Sequence, residues 1–152
     1  MARDHDQPVG GRFDGGEHRF PVRVYFEDTD LSGIVYHANY LRYMERGRSD
    51  MLRLAGIDQR AAFEAGEGAY AVADLHVRYL APARLDDDLI VTSRLIQVRA
   101  ASVVIHQRVS RDGGTLAQAD VTAALVSPAG RARRQPAAWV DIFRRLLDQK
   151  EA

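Results

Sequence analysis

A chain of 152 residues, 46% of them hydrophobic, is the size of one globular domain with a single core. Its 21 basic residues balance 21 acidic ones, so no global field favours nucleic acid, and no apolar run nears the roughly 20 residues that span a bilayer. Zero cysteine excludes disulfides, thiolate catalysis and cysteine-ligated metals. The first twenty residues hold Asp4, Asp6, Asp14 and Glu17 among glycines where a secretory signal would be apolar, and the expectation is a soluble cytoplasmic protein.

Residues 1–17 are glycine-rich and polar with no period, which predicts a disordered arm ahead of one domain over residues 18–150. Phe20, Val22, Val24 and Phe26 then alternate with polar neighbours, the period of a half-buried strand. An acidic turn follows and ends at Asp30. A helix is predicted from about Ala38 to Ala55, with Tyr40, Leu41, Met44, Met51, Leu52 and Ala55 on its apolar stripe and Gly56 as its stop. Gly47 sits inside that helix at a cost of about 1 kcal/mol against alanine, which predicts a close backbone approach there. Ala71 to Tyr79, Leu89 to Val98, Val103 to Ser110 and Thr115 to Val126 read as strands, the last two joined by the hairpin turn Asp112-Gly113-Gly114. Leu85 is expected to anchor the turn-rich stretch Ala81 to Asp87. Trp139, Val140, Phe143, Leu146 and Leu147 form the stripe of a short terminal helix. One long helix facing an antiparallel sheet of about five strands is an α+β layer architecture.

Asp30 lies between a strand and a helix. The unpaired N–H groups and the positive dipole end of that helix start next to a carboxylate. A polarised carbonyl held between them would meet the parts of an acyl-transfer site. The stretch from Arg23 to Arg46, with Asp28, Asp30, Gly33, Asn39, Tyr40 and the pair Glu45-Arg46, resembles the signature of the 4-hydroxybenzoyl-CoA thioesterase family of hotdog-fold enzymes. Within that family it is most similar to the Tol–Pal-associated acyl-CoA thioesterases. The resemblance covers roughly residues 19–145 and implies a hotdog fold with the sheet wrapped around the long helix. It also implies that Asp30 is the catalytic carboxylate, as nucleophile or as general base on water, while Asp28 is structural. The N–H of His37 becomes the oxyanion donor, its ring a supporting group, and Gly33, Tyr36 and Asn39 shape the turn against the substrate.

The implied substrate is acyl-CoA, or an acyl-carrier protein, with coenzyme A as part of the substrate and no separate cofactor. Arg99, at a turn between strands, and Arg131, Arg133 and Arg134, after the last strand, are candidate contacts for its phosphates, because guanidinium donates bidentately. The alternative for these arginines is a solvated loop. Glu45 with Arg42, Arg46 and Arg48 reads as a solvated helix face, and His76 and His106 as strand residues without carboxylate partners at ligand spacing, so no metal is expected. The family further implies a homodimer or homotetramer with each site at a subunit interface, and leaves room for peripheral association with the cell envelope. Two rival functions stand beside hydrolysis: a hotdog hydratase or dehydratase, and a non-catalytic module for acyl ligands or envelope proteins.

Overall fold

A computed structural model describes residues 6–149. Six antiparallel strands form one sheet: β1 (Arg12–Asp14), β2 (Glu17–Arg23), β3 (Ala69–Tyr79), β4 (Asp88–Val98), β5 (Ser102–Arg111) and β6 (Gly114–Val126). Their order across the sheet is β1-β2-β4-β5-β6-β3. The long helix α1 (His37–Leu54) carries the chain from β2, near one edge, to β3 at the other. Its 18 residues span about 27 Å, enough to cross the sheet.

The core lies between α1 and one face of the sheet. Tyr40, Tyr43 and Met44 pack on Val91, Val109, Ala117, Ala119 and Val121. Met51 and Leu52 pack on Leu95, Val103 and Ile105, and the terminal helix α3 (Ala137–Asp148) closes that end with the fully buried Phe143. Gly47 marks the close approach expected of it, since an added Cβ would stand 2.9 Å from Val91 Cγ1. Beside it, the buried Gln107 side chain donates to Met44 O and to Ser93 Oγ, both at 2.8 Å. Gly56, at φ +94°, ends α1 as expected. Asp112 and Gly113 both have positive φ, the conformation of a tight hairpin turn between β5 and β6.

Several elements differ from the expectations. Part of the arm expected to be disordered, residues 1–5, lies outside the described residues, but Arg12–Asp14 is a sixth strand. The glycines there serve close contact: a Cβ on Gly11 would meet His18 and Asp50, and one on Gly16 would meet the carbonyls of Leu146 and Gln149. The Gly11 N–H and the buried His18 ring both donate to Asp50 Oδ2, at 2.9 and 2.7 Å, which ties the arm to α1. The strand expected to include Phe26 stops at Arg23, and Phe26 enters a 3-10 turn with its ring exposed. A short helix, α2 (Gln59–Glu64), was not expected; Asp58 caps it through the N–H of Ala61. Leu85 is exposed, and the 81–87 loop is held by the buried Ala83, whose N–H donates to the Tyr40 hydroxyl at 2.9 Å.

The alternation of β3 has no covered face to match. It is an edge strand, exposed along almost its whole length, and a bulge between Val72 and Asp74 shifts its register. His106 does have a carboxylate partner: its Nδ1 lies 2.7 Å from Asp120 Oδ1 across the β5–β6 pair. His76 stands opposite the same aspartate on β3. Sequence spacing could not reveal this row, because sheet register sets it. Arg48 likewise leaves the solvated face assigned to it and turns inward to Gln107 Oε1 at 3.0 Å. Among the described residues no helix is long and apolar enough to cross a membrane.

Candidate active site

Asp28 and Asp30 are two residues apart and occupy opposite environments. Asp28 is buried, with Oδ2 accepting from the N–H of Tyr25 at 2.9 Å and Oδ1 from the Asn39 side chain at 2.8 Å. Its own carbonyl accepts from the N–H of Tyr36. These bonds join the end of the β2 segment to the start of α1, a structural role for both Asp28 and Asn39. Tyr43 is buried against this cluster; burial first, and then the Asp28 charge, raise its hydroxyl pKa.

Asp30 is fully exposed in the loop that follows. The Ser32 hydroxyl and N–H both donate to its Oδ1, at 2.5 and 2.8 Å, and the hydroxyl is the main reason its pKa falls below the ordinary aspartate value. The group is therefore a carboxylate at neutral pH. The backbone N–H groups of Ile34 and of Asp30 itself lower its pKa further, and the exposed carboxylate remains open to a water or an electrophile. The loop is fixed by two backbone bonds, Asp30 N–H to Ile34 O and Gly33 N–H to Asp30 O, and by Val35 N–H to Ala83 O. Gly33 has φ +80°, a conformation that side-chain-bearing residues resist.

Helix α1 begins with His37 immediately after this loop. The N–H groups of His37 and Ala38 donate to no acceptor among the described residues, whereas that of Asn39 is taken by Tyr36 O. Two free donors at a positive helix end can receive developing negative charge on an oxygen. The exposed His37 ring lies 4.5 Å from the Tyr36 ring and perpendicular to that of Tyr79 at 6.2 Å. The Tyr79 hydroxyl donates to the His37 carbonyl at 2.8 Å, which fastens the helix start to β3.

The structure thus brings Asp30, Gly33, Tyr36, His37 and Asn39 into one strand–loop–helix unit. It places the arginines elsewhere. Arg99 follows β4, whose other end adjoins the Asp30 loop, so the length of the strand, about 35 Å, separates them within one chain. Its guanidinium donates to Gln97. Arg133 donates to Gly66 O at 2.6 Å, and Arg131 and Arg134 are exposed in the same segment. Ser32 and Tyr79 were missed in the sequence. An acid followed two residues later by serine is a recognisable local turn, but only the fold brings Tyr79 to His37. Among the described residues no group of three or more His, Cys, Asp or Glu side chains is arranged to hold a metal ion.

The thioesterase-like superfamily model matches residues 24–145, from the end of the β2 segment into α3. The chain belongs to the thioesterase-like superfamily. It is 43% identical over 111 residues to the acyl-CoA thioester hydrolase YbgC of Escherichia coli O6:H1, covering 72% of this chain and 82% of that one. It is 41% identical over 107 residues to the acyl-CoA thioesterase YbgC of Haemophilus influenzae, covering 70% and 79%. A crystal structure of a probable thioesterase from Bartonella henselae superposes with a TM-score of 0.75 at 34% identity, over 79% of this chain and 99% of that one. The fold is the hotdog fold of this superfamily, with α1 as the central helix and the six strands as its wrapping.

Proposed function

We propose that the chain hydrolyses acyl-CoA thioesters to a free acid and a thiol. The observation that carries this is the pairing of an exposed, ionised Asp30 with the two unsatisfied N–H groups of His37 and Ala38 at the helix start. The thioester carbonyl oxygen would accept from those donors, worth about 3 to 4 kcal/mol each in comparable oxyanion sites. Asp30 then acts in one of two ways. It draws a proton from a water whose oxygen attacks the carbonyl carbon, or its Oδ2 attacks directly and water cleaves the resulting anhydride. In both routes the C–S bond breaks, the electron pair leaves on sulfur, and thiolate departs with little acid assistance.

The working form in this reading is a homodimer built through β3. That strand presents an unpaired edge of 11 residues on which Val72, Leu75 and Tyr79 are exposed at 51%, 37% and 44%, too apolar an edge to leave in water. Antiparallel pairing of β3 with its two-fold copy exchanges strand ends. The Tyr79 end, beside His37, meets the partner's Ala69 end, where Ala69 pairs with Val126 and Arg133 reaches Gly66. Each Asp30 site would then face the partner's Arg131–Arg134 segment, which supports phosphate contacts made across the interface. Assembly of two such dimers into a tetramer, action on acyl-carrier protein and a cytoplasmic location belong to the same reading. Association with the cell envelope rests on the sequence resemblance alone.

The test is release of free thiol from a panel of short, long and aromatic acyl-CoAs. Asp30→Asn should melt at the wild-type temperature and lose at least about a hundredfold in rate, the range for removal of a key acid–base group. Equal rates for wild type and Asp30→Asn would end the assignment.

A further inference from the structure

A cavity of about 190 Å³ lies between the second half of α1 and β3, walled by Leu52, Tyr70, Val72, Val103, Ile105 and Ala123. The half-buried Arg48 is set into the same wall, beside the polar side chains of Ser49 and Gln59. Its one hydrogen bond among the described residues runs to a neutral acceptor, Gln107 Oε1, and no described carboxylate comes within 4.0 Å of it. Gln107 cannot follow Arg48 into the cavity, because its amide nitrogen is committed to Met44 O and Ser93 Oγ. Burial lowers the Arg48 pKa from its ordinary value, and Glu45, one turn earlier on α1, offsets part of that.

A guanidinium has five donors in a fixed fork and stays charged in proteins. Charges drawn out of water are normally paired, and the half-buried Arg48 has only the longer-range field of Glu45 and no described carboxylate at ion-pair distance. Filling the cavity with a saturated chain would strip the remaining water from this cation and offer nothing in exchange. A chain that ends in a carboxylate would pair with it bidentately. Size narrows the choice further: a cavity of about 150 Å³ holds benzene. The present one, which opens to solvent on one side, suits a tail of roughly seven heavy atoms lying against Arg48.

We propose that Arg48 is a specificity-determining residue that reads a carboxylate at the far end of a compact acyl group, so that the preferred substrates are coenzyme A monothioesters of short dicarboxylic acids. The inference rests on the hydrolytic reading and on pairing through β3, which sets this cavity beside the partner's His37. Glu45 also lines the cavity; because its side chain is exposed, water and salt weaken both its attraction to Arg48 and its repulsion of a bound carboxylate, and the nearer guanidinium dominates.

The experiment compares kcat/KM of the full chain for three tails of similar length: hexanoyl-CoA, 6-hydroxyhexanoyl-CoA and adipoyl-CoA. Wild type should prefer adipoyl to hexanoyl by tenfold or more, with the hydroxyl compound between them. Arg48→Met should bring the adipoyl-to-hexanoyl ratio close to one, and Arg48→Lys should restore part of it, with melting curves recorded for both. The wild-type comparison needs no variant. Hexanoyl hydrolysed as well as adipoyl, or the hydroxyl compound as well as adipoyl, overturns the proposal while leaving the thioesterase reading intact. So does an Arg48→Met variant that slows all three substrates equally. If no thioester releases thiol, both readings fall together.

Discussion

Replacing Tyr40 by phenylalanine deletes one oxygen and tests how the loop beneath the site is held. The Tyr40 ring is 3% exposed, and its hydroxyl accepts from the N–H of Ala83, itself 0% exposed, at 2.9 Å. Phenylalanine preserves the ring packing on Tyr43 and Tyr79 but leaves that buried N–H with no acceptor. An orphaned buried donor costs about 1 to 3 kcal/mol. For a chain of this length, each kcal/mol moves the melting temperature by about 2 to 4 °C. The expected fall is therefore about 2 to 12 °C, measured by circular dichroism at one fixed protein concentration, because subunit association would couple to stability. Tyr43→Phe is the control. That hydroxyl is equally buried and has no well-formed hydrogen bond among the described residues, so its loss should cost clearly less. A Tyr40→Phe protein that melts within 1 °C of wild type, or below which Tyr43→Phe falls, would refute the account of the loop.

Three further outcomes are expected. Burial lowers the His18 pKa below 6.5 despite its bond to Asp50, so the unfolded chain binds more protons between that lowered value and 6.5; stability is full above pH 6.5 and falls as pH drops through this window, which urea titrations at stepped pH would show and His18→Gln would flatten. Leu75→Lys puts a charge on the β3 edge and should give a 17.0 kDa species by light scattering with activity lost, whereas a wild type that is monomeric and active at all dilutions would contradict pairing through this strand. Gly47→Ala gains about 1 kcal/mol of helix propensity but drives a methyl against Val91, at about 1 to 3 kcal/mol for overpacking, so its melting temperature should not rise.

Much of this architecture was legible because its elements obey local rules. The limits of α1 came from helical spacing and Gly56 and fall within one residue of those observed. The β5–β6 hairpin came from Asp112 and Gly113. The Asp30 loop came from an acid before a helix start, which is local in sequence and local in space. What stayed hidden depends on distant partners. Gly11 and Gly16 look like flexible linker until the side chain of Asp50 and the end of α3 arrive against them. Arg48 has the spacing of a surface residue, and only Gln107, 59 positions later, turns it inward. Strand β3 alternates like a half-buried strand, yet whether its faces are covered depends on where the sheet ends.

The sheet's two margins are unequal. One is β1, a ribbon of three residues folded back and tied to Asp50, and the other is the long edge of β3. A growing β-assembly needs a template on both sides of each unit; among the described residues β3 offers a long one, while β1 covers residues 17–19 of β2 and leaves the short stretch 20–23 open. Two copies joined through β3, as proposed above, would use up this long edge and leave the short β1 margin at each outer side. Such a pair would offer no second long edge for sheet-to-sheet growth, so further assembly would have to use its faces. The glycine-rich segment 10–16 would thus limit sheet growth at one margin as well as cover one side of the fold.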